Sequence, residues 1–304
     1  MRNIRLSVFL LLCGACMFLF HSCSTCSRQQ TLEDITIDLA DLAIDSSYVI
    51  MAQKVFYALP TPIEMSMMVK NLGVTYQSVL LNDPANASKY LTHQKMALNF
   101  GAYITDLTYA GLFDQSQTVL NYKQSIQQLA EGLGLLSSID PNTMEQLEAN
   151  IHNKTAVMQI ISETYASCTA SLNEDDRYFL TLAMLVGGWV EGMYIATSMT
   201  DQKLVSVEKN MKQLVIDQKL TFDMIWQALS DMKTNPDIAS LMNVLTDLAY
   251  LYDKVSINQT PNTVTSGDDG NTNISSMNVS NVTQQMFAEI KDQIQVLRHN
   301  FTKK

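Results

Sequence analysis

The sequence predicts an all-α fold, and three observations support that prediction. Apolar residues recur at helical spacing along nearly the whole chain, and no stretch shows the strict alternation typical of strands. Long periodic segments are separated by short turns that contain proline or asparagine. Glycine (11 residues) and proline (6 residues) are scarce among the 304 residues. We therefore expect about nine helices, arranged as antiparallel hairpins in a bundle or in an irregular α–α superhelix.

The chain begins with a segment typical of an export signal. Two arginines precede an apolar run, Leu6 to Phe20, which at about 15 residues is short for a membrane-spanning helix. Ser22 and Cys23 follow, and a small residue directly before a cysteine favours a lipoprotein signal. We predict a signal peptide at 1–22, lipid attachment at Cys23 and a tether at 23–30. An ordinary secretory signal and an uncleaved anchor are the alternatives, and both also place the body outside the cytoplasm.

The helices follow from apolar spacing and from the residues that interrupt it. Proline disfavours a helical residue before it and lacks an amide donor, so Leu59-Pro60-Thr61-Pro62 ends the first helix. The predicted helices cover about 32–57, 63–81, 87–113, 116–136, 141–172, 173–196, 201–232 and 236–255, with a ninth that carries the stripe Val282, Met286, Ile290, Ile294, Leu297 and Phe301.

Two of these helices have recognisable starting signals. Asp140 can cap free amides while Pro141 occupies the first position of the fifth helix. The run Asn173-Glu174-Asp175-Asp176 is predicted to start the sixth helix, where carboxylates complement the positive end of the helix dipole.

The sixth predicted helix is apolar on nearly every face between Tyr178 and Ala196, with Glu191 as its one charged residue. Such a helix either spans a membrane or lies at the centre of a globular domain. Three glycines and a carboxylate interrupt the apolar run, and no cluster of basic residues follows it. These features favour the buried core helix.

The composition changes near the end of the chain. Residues 258–276 are rich in Asn, Thr, Ser, Gly and Asp, so we predict a helical domain at 31–256 and a flexible polar loop at 257–276. The last segment, 277–304, is predicted to be an amphipathic helix. Its apolar stripe needs a partner surface, and folding back on the domain is favoured over docking on another protein because intramolecular contact has a high effective concentration.

Charge and cysteine usage limit the classes of function. Acidic residues (30) outnumber basic ones (20), and the net charge of −10 disfavours binding to nucleic acid. Four of the five cysteines lie in or beside the signal segment, which leaves Cys168 alone in the body and excludes a disulfide framework there. The predicted partners are therefore a membrane, through the lipid, and a protein of the envelope.

The best candidate pocket combines residues of the third and sixth predicted helices. Tyr103, Asp106 and Tyr109 lie among apolar residues on the third, and Trp189, Glu191 and Tyr194 do so on the sixth. If the two helices touch, paired carboxylates and aromatic rings converge, and such a site can bind a sugar or a cation or perform acid–base chemistry. The alternative is a buried network in which hydroxyl and indole groups satisfy the carboxylates.

Other chemistry is not indicated by the sequence. Asp34, Asp38, Asp41 and Asp45 line one face of the first predicted helix, but helical carboxylates rarely enclose a calcium ion, so we expect a solvated acidic face and no metal site. Hydrolase elbows, phosphate-binding loops and Gly-rich dinucleotide turns are missing, so no cofactor and no catalytic residue is predicted.

Two stretches invite comparison with known proteins. Together with the Ser22-Cys23 signal, Asn99-Phe-Gly-Ala-Tyr-Ile-Thr-Asp-Leu-Thr-Tyr-Ala and Gly187-Gly-Trp-Val-Glu-Gly-Met-Tyr resemble uncharacterised envelope lipoproteins of Bacteroidetes-type bacteria. The resemblance implies a helical body on a lipid anchor and supplies no activity. In such bacteria, surface lipoproteins often carry acidic residues just after the modified cysteine, and Ser24–Gln30 lacks them, which indicates a location on the outer membrane facing the periplasm.

A weaker likeness concerns the fold. The stretch from Asn99 to Tyr103, followed by Gln117–Leu129, faintly resembles a tetratricopeptide repeat. No second copy occurs at the expected period of about 34 residues, so a regular array is not predicted. The sequence therefore favours a helical interaction or scaffold protein, with a small-ligand binder, and less so a hydrolase, as the alternative.

Overall fold

The all-α prediction is confirmed by a computed structural model, which describes residues 59–199, 205–259, 263–266, 272–275 and 278–303. Its α-helices are α1 (Pro62–Asn71), α2 (His93–Leu112), α3 (Ser116–Gly132), α4 (Thr143–Ala149), α5 (Lys154–Glu174), α6 (Tyr178–Ser198), α7 (Val205–Asp231), α8 (Pro236–Asp253) and α9 (Gln284–Thr302). The predicted first helix, its acidic face and Cys23 lie outside the described residues.

The centre of the fold is the pair α2 and α6. Nearly every residue of both helices is buried, because α1, α3 and α5 cover α2 while α7 and α9 contact α6. Of the described helices, α6 is long and apolar enough to cross a membrane, but 89% of its most apolar window is buried by the surrounding chain. That burial supports the core interpretation of this helix.

Glycines bring the two central helices into backbone contact. A methyl group added at Gly101 would lie 1.9 Å from the carbonyl oxygen of Met184, and one added at Gly187 would lie 1.8 Å from that of Leu98. Any larger residue at either position would therefore push α2 and α6 apart. Side chains near these glycines therefore meet where α2 contacts α6, and we call this contact the α2–α6 seam.

Helices α1 and α2 are both shorter than the sequence predicts. Thr61 and Glu64 form a capping box at the start of α1, which ends at Asn71 rather than at 81. Gly73, with φ of +78°, turns the chain there. The α2 helix then begins at His93, capped by Thr92, and not at 87. Between them lies a loop with 3₁₀ turns at Ser78–Leu80 and Pro84–Lys89.

The predicted fifth helix, 141–172, is two helices. The chain breaks between Asn150 and Asn153, and the Asn153 side chain caps α5 by accepting a hydrogen bond from the amide of Ala156. The α4 helix begins at Thr143, so Pro141 does not occupy its first position. The competing cap at Asn153 overrides the apolar spacing that runs through the break.

The predicted start of the sixth helix at 173–176 is also wrong. Asn173 and Glu174 end α5, and Asp176 adopts a left-handed conformation with φ of +56° before α6 begins at Tyr178. These carboxylates therefore lie at a helix carboxyl end. Arg177 turns toward α3, where it donates to the carbonyl of Leu133 at 2.7 Å. Its guanidinium satisfies a free carbonyl at the end of that helix.

The connection between α8 and α9 contains short strands where a loop was expected. Strand β1 (Ile257–Gln259) pairs antiparallel with β4 (Asn278–Ser280), and β2 (Thr263–Ser266) pairs with β3 (Thr272–Ser275). Thr and Val are β-branched and favour extended backbone, which explains why a polar segment forms these pairs. The α9 helix follows and buries Phe287, Ile290, Ile294, Leu297 and Phe301. It contacts α6 and α8.

Candidate functional site

Two carboxyl groups meet at the α2–α6 seam. Asp106 on α2 is 0% exposed and Glu191 on α6 is 1% exposed. A buried carboxylate requires a countercharge or several hydrogen bonds, so the partners of these two groups decide what the site can do.

Glu191 is paired with an arginine from the last helix. The Nε atom of Arg298 donates to Oε2 of Glu191 at 3.1 Å, and its Nη2 atom donates to Oε1 at 3.1 Å. Nη2 also donates to the carbonyl of Leu80 at 3.3 Å, and the guanidinium lies 4.6 Å from the ring centroid of Tyr194. This fork of two hydrogen bonds is the geometry in which arginine binds carboxylate most strongly.

Asp106 is held by the loop between α1 and α2. Its Oδ2 atom accepts a hydrogen bond from the amide of Asn82 at 2.9 Å, and the hydroxyl oxygen of Tyr122 lies 3.5 Å from the same atom. Burial raises the pKa of Asp106 well above its usual range, and the neighbouring charge of Glu191 raises it further, against the opposing effect of Arg298. Burial therefore favours the protonated form of Asp106, which can donate to the Glu191 carboxylate.

The protonation of the pair balances its charge. Burial raises the pKa of Glu191 as well, and Arg298 opposes that shift. Two adjacent carboxyl groups cannot both ionise easily in a buried site, so the environment favours one shared proton. In that state the single negative charge of the pair balances the positive charge of Arg298.

Asn82 connects this cluster to the surrounding tyrosines. The side-chain amide of Asn82 donates to the hydroxyl of Tyr90 at 3.1 Å. The main-chain carbonyl of Asn82 accepts a hydrogen bond from the hydroxyl of Tyr122 at 2.5 Å. Tyr103, predicted as a site residue, donates to the carbonyl of Asp83 at 2.8 Å, and its ring lies 5.4 Å from that of Tyr122. These hydroxyls therefore fix the loop on α2 and α3.

Tyr109 and Trp189 do not join the cluster. Tyr109 accepts a hydrogen bond from the amide of Gln77 at 3.0 Å, and burial raises its pKa to about 12. Trp189 donates through Nε1 to Gln218 of α7 at 3.1 Å, on a different face of α6. The structure thus brings together Tyr103, Asp106, Glu191 and Tyr194, and places the other two predicted residues in separate contacts.

The sequence analysis missed Arg298, Asn82 and Tyr122. Arg298 had a visible signal, because the chain contains only three arginines after the predicted signal peptide, at positions 28, 177 and 298. It also lies directly beside the apolar stripe of α9, where a cation faces a buried surface. Asn82 and Tyr122 had no such signal, since their roles depend on how the loop crosses α2.

The arrangement performs a structural task in the described part of the chain. Both carboxyl groups are buried, and Arg298 is itself only 18% exposed. The groups that would act on a ligand instead bind the loop and the last helix. Among the described residues, no three His, Cys, Asp or Glu side chains are grouped so that they could hold a metal ion.

Comparison with protein-family models, with curated proteins and with solved structures gave no match. Function is therefore inferred from the sequence and the geometry of this chain.

Proposed function

We propose that this chain is a lipid-anchored protein of the bacterial envelope whose helical body acts as an interaction module. The observation that carries the proposal is the closed Asp106–Glu191–Arg298 cluster. Of its two carboxyl groups, Glu191 binds the protein's own last helix and Asp106 binds the loop between α1 and α2. We therefore infer that the main role of this exported helical domain is to bind a partner protein through its outer surface.

The anchor is proposed from the signal segment. Lipid attachment at Cys23 would tether the body to the outer membrane, and the lack of acidic residues in Ser24–Gln30 supports the face toward the periplasm. A lipid chain supplies membrane affinity that an acidic body, with a net charge of −10, does not have by itself.

Metabolic labelling with palmitate tests the anchor. We expect the wild-type chain to incorporate label, Cys23→Ala to lose it, and Cys26→Ala to retain it as the matched control three residues later. Label that survives Cys23→Ala would contradict attachment at this residue, and loss in Cys26→Ala would assign it to the other cysteine.

Cross-linking in intact cells tests the interaction role. We expect the tagged chain, purified from membranes, to carry a protein partner in comparable amount, and Cys23→Ala to lose that partner when the body is released from the membrane. Absence of any partner in near-stoichiometric amount from the cross-linked wild-type chain would contradict the proposal.

A small-ligand binder at the α2–α6 seam is the second candidate. It is supported by one observation: two carboxyl groups, Asp106 and Glu191, are both buried at the contact between the same two helices. A ligand would have to displace Arg298 from Glu191. Binding would then expose α9, and faster amide hydrogen exchange along 284–302 in the presence of a candidate ligand would favour this alternative.

A further inference from the structure

A second site lies between α7 and α8. It is a cleft of about 310 Å³, and its lining consists of Phe222, Asp223, Trp226, Thr246, Ala249, Tyr250 and Asp253. Ligand pockets in proteins begin at roughly this volume, so the cleft is large enough for a small molecule.

The aromatic walls of the cleft are supported from the core. Phe222 is buried and stacks on Trp226, with ring centroids 6.0 Å apart and an interplanar angle of 25°. Beneath it, Phe222 stacks on buried Tyr252 at 5.1 Å and contacts Trp189 at 5.6 Å. This ladder of rings holds the half-buried Trp226 in place, so the wall is preorganised for a ligand.

The charged residues of the lining have one sign. Asp223 and Asp253 are acidic, and no lysine, arginine or histidine lines the cleft. Asp223 is bound by Lys219 at 2.6 Å in an exposed pair that costs little to exchange. Within the described part of the chain, no hydrogen bond or ion pair reaches the side chain of Asp253. Asp253 therefore gives the cleft a negative group that favours a cation.

One ring of the cleft already contacts an ammonium group. The Nζ atom of Lys254 lies 3.8 Å from the ring centroid of Tyr250, which is itself 63% exposed. Trp226 adds a second aromatic ring to the lining of the cleft, and tryptophan is the best of the aromatic side chains for this interaction.

We propose that the α7–α8 cleft binds a small organic cation with an alkylated ammonium head group. Trp226 and Tyr250 contact the head group through their rings, and Asp253 supplies the counter-charge. This inference goes beyond the proposed interaction role and does not depend on the anchor.

The two tryptophans of the chain provide a reporter and an internal control. Choline is the probe, and the indole N–H signals of the purified full-length chain are followed by NMR. We expect the Trp226 signal to shift with a dissociation constant of about 1 mM or below, which is ordinary for so small a ligand. The Trp189 signal should stay in place because its indole is buried and bonded to Gln218.

A matched ligand separates charge from shape. The compound 3,3-dimethylbutan-1-ol has the shape of choline without its charge, and we expect at least about tenfold weaker binding because the cation–π and carboxylate attractions are lost. Equal binding of the two compounds would overturn the proposal of a cation site. No shift of the Trp226 signal with choline would do so as well.

Variants test the assigned residues. Tyr250→Leu should weaken choline binding about tenfold, and Asp253→Asn should weaken it about fivefold. Asp247→Asn is the matched control, since Asp247 is an exposed carboxylate of α8 outside the cleft, and we expect less than about a twofold change. An unchanged Trp189 signal shows that each variant is folded. Equal weakening by Asp247→Asn and Asp253→Asn would show a general charge effect and contradict the site.

Discussion

Arg298 and Glu191 form a buried ion pair across 107 positions of sequence, with the guanidinium donating to both carboxylate oxygens at 3.1 Å. The pair joins the last helix to the centre of the fold. Arg298 also reaches the Leu80 carbonyl, so one side chain binds α6 and the loop before α2 together. A single residue thus holds three separate segments.

Removal of the cation should destabilise the protein strongly. We expect Arg298→Met to lower the free energy of unfolding by about 3 kcal/mol at neutral pH, because Glu191 keeps a buried charge without a partner. The loss is measured by urea unfolding. Lys219→Met, which breaks the exposed pair with Asp223, is the control and should cost about 0.5 kcal/mol or less. A similar small loss in both variants would show that the Arg298 pair is not important for stability.

The shared proton at the seam predicts a specific pH dependence. The folded state raises the pKa of Asp106, so it holds a proton that the unfolded chain releases above about pH 4. The stability from this group is complete below the unfolded pKa and is lost as pH rises through the folded pKa. Asp106→Asn keeps a neutral donor at every pH.

We therefore expect the stability of Asp106→Asn, relative to wild type, to increase as pH rises from about 4 to about 8. Urea unfolding at a series of pH values measures this difference. Asp247→Asn, at an exposed position of α8, controls for the substitution itself. A relative stability of Asp106→Asn that does not change with pH would contradict the shared proton.

The backbone contact of α2 and α6 predicts that one small substitution is severe. We expect Gly187→Ala to cost about 3 kcal/mol or more, because its added methyl would lie 1.8 Å from a backbone oxygen that cannot move by itself. Gly132→Ala is the matched control. Its methyl would meet the flexible side chain of Met96 at 2.7 Å, and alanine favours the helix, so we expect little loss. Thermal unfolding measures the stability of both variants. An equally small loss in Gly187→Ala and Gly132→Ala would contradict the backbone contact of α2 and α6.

Cys168 should be unreactive in the folded protein. It is buried, and burial raises the pKa of its thiol to about 12, so almost no thiolate exists at pH 8. We expect iodoacetamide to leave Cys168 unmodified in the native protein and to modify it fully in urea, as read by mass spectrometry of its peptide. Cys26 in the same sample serves to check the reagent. Rapid native labelling of Cys168 would show that α5 opens readily.

The sequence predicted the helices well where apolar spacing and local caps agree. Helix α3 starts at Ser116 and helix α8 starts at Pro236, as the sequence predicts. Errors occurred where a cap interrupts continuous apolar spacing, as at Asn153. They also occurred where carboxylates end a helix instead of starting one, as at Asp175 and Asp176. Capping residues of this kind are visible in the sequence, but apolar spacing that continues through them predicts an unbroken helix.

The candidate site was predicted in part. Tyr103, Asp106, Glu191 and Tyr194 are in one network because α2 and α6 do touch, and Gly101 and Gly187 permit this contact. Trp189 lies elsewhere because it is two positions from Glu191, which places the two side chains on different sides of α6. Tyr109 is one turn beyond Asp106 on α2, where it meets the amide of Gln77. Their partners, Gln77 and Gln218, come from a loop and a third helix whose positions no spacing rule provides.

The sequence by itself determined the helical fold class and the buried character of the helix around Glu191, because both follow from the pattern of apolar residues along one chain. Only the tertiary structure decided that Arg298 neutralises the carboxyl pair and that Trp226 and Tyr250 share a cleft. Those relationships depend on how helices distant in sequence pack, and packing is set by the shapes and charges of all the surfaces together.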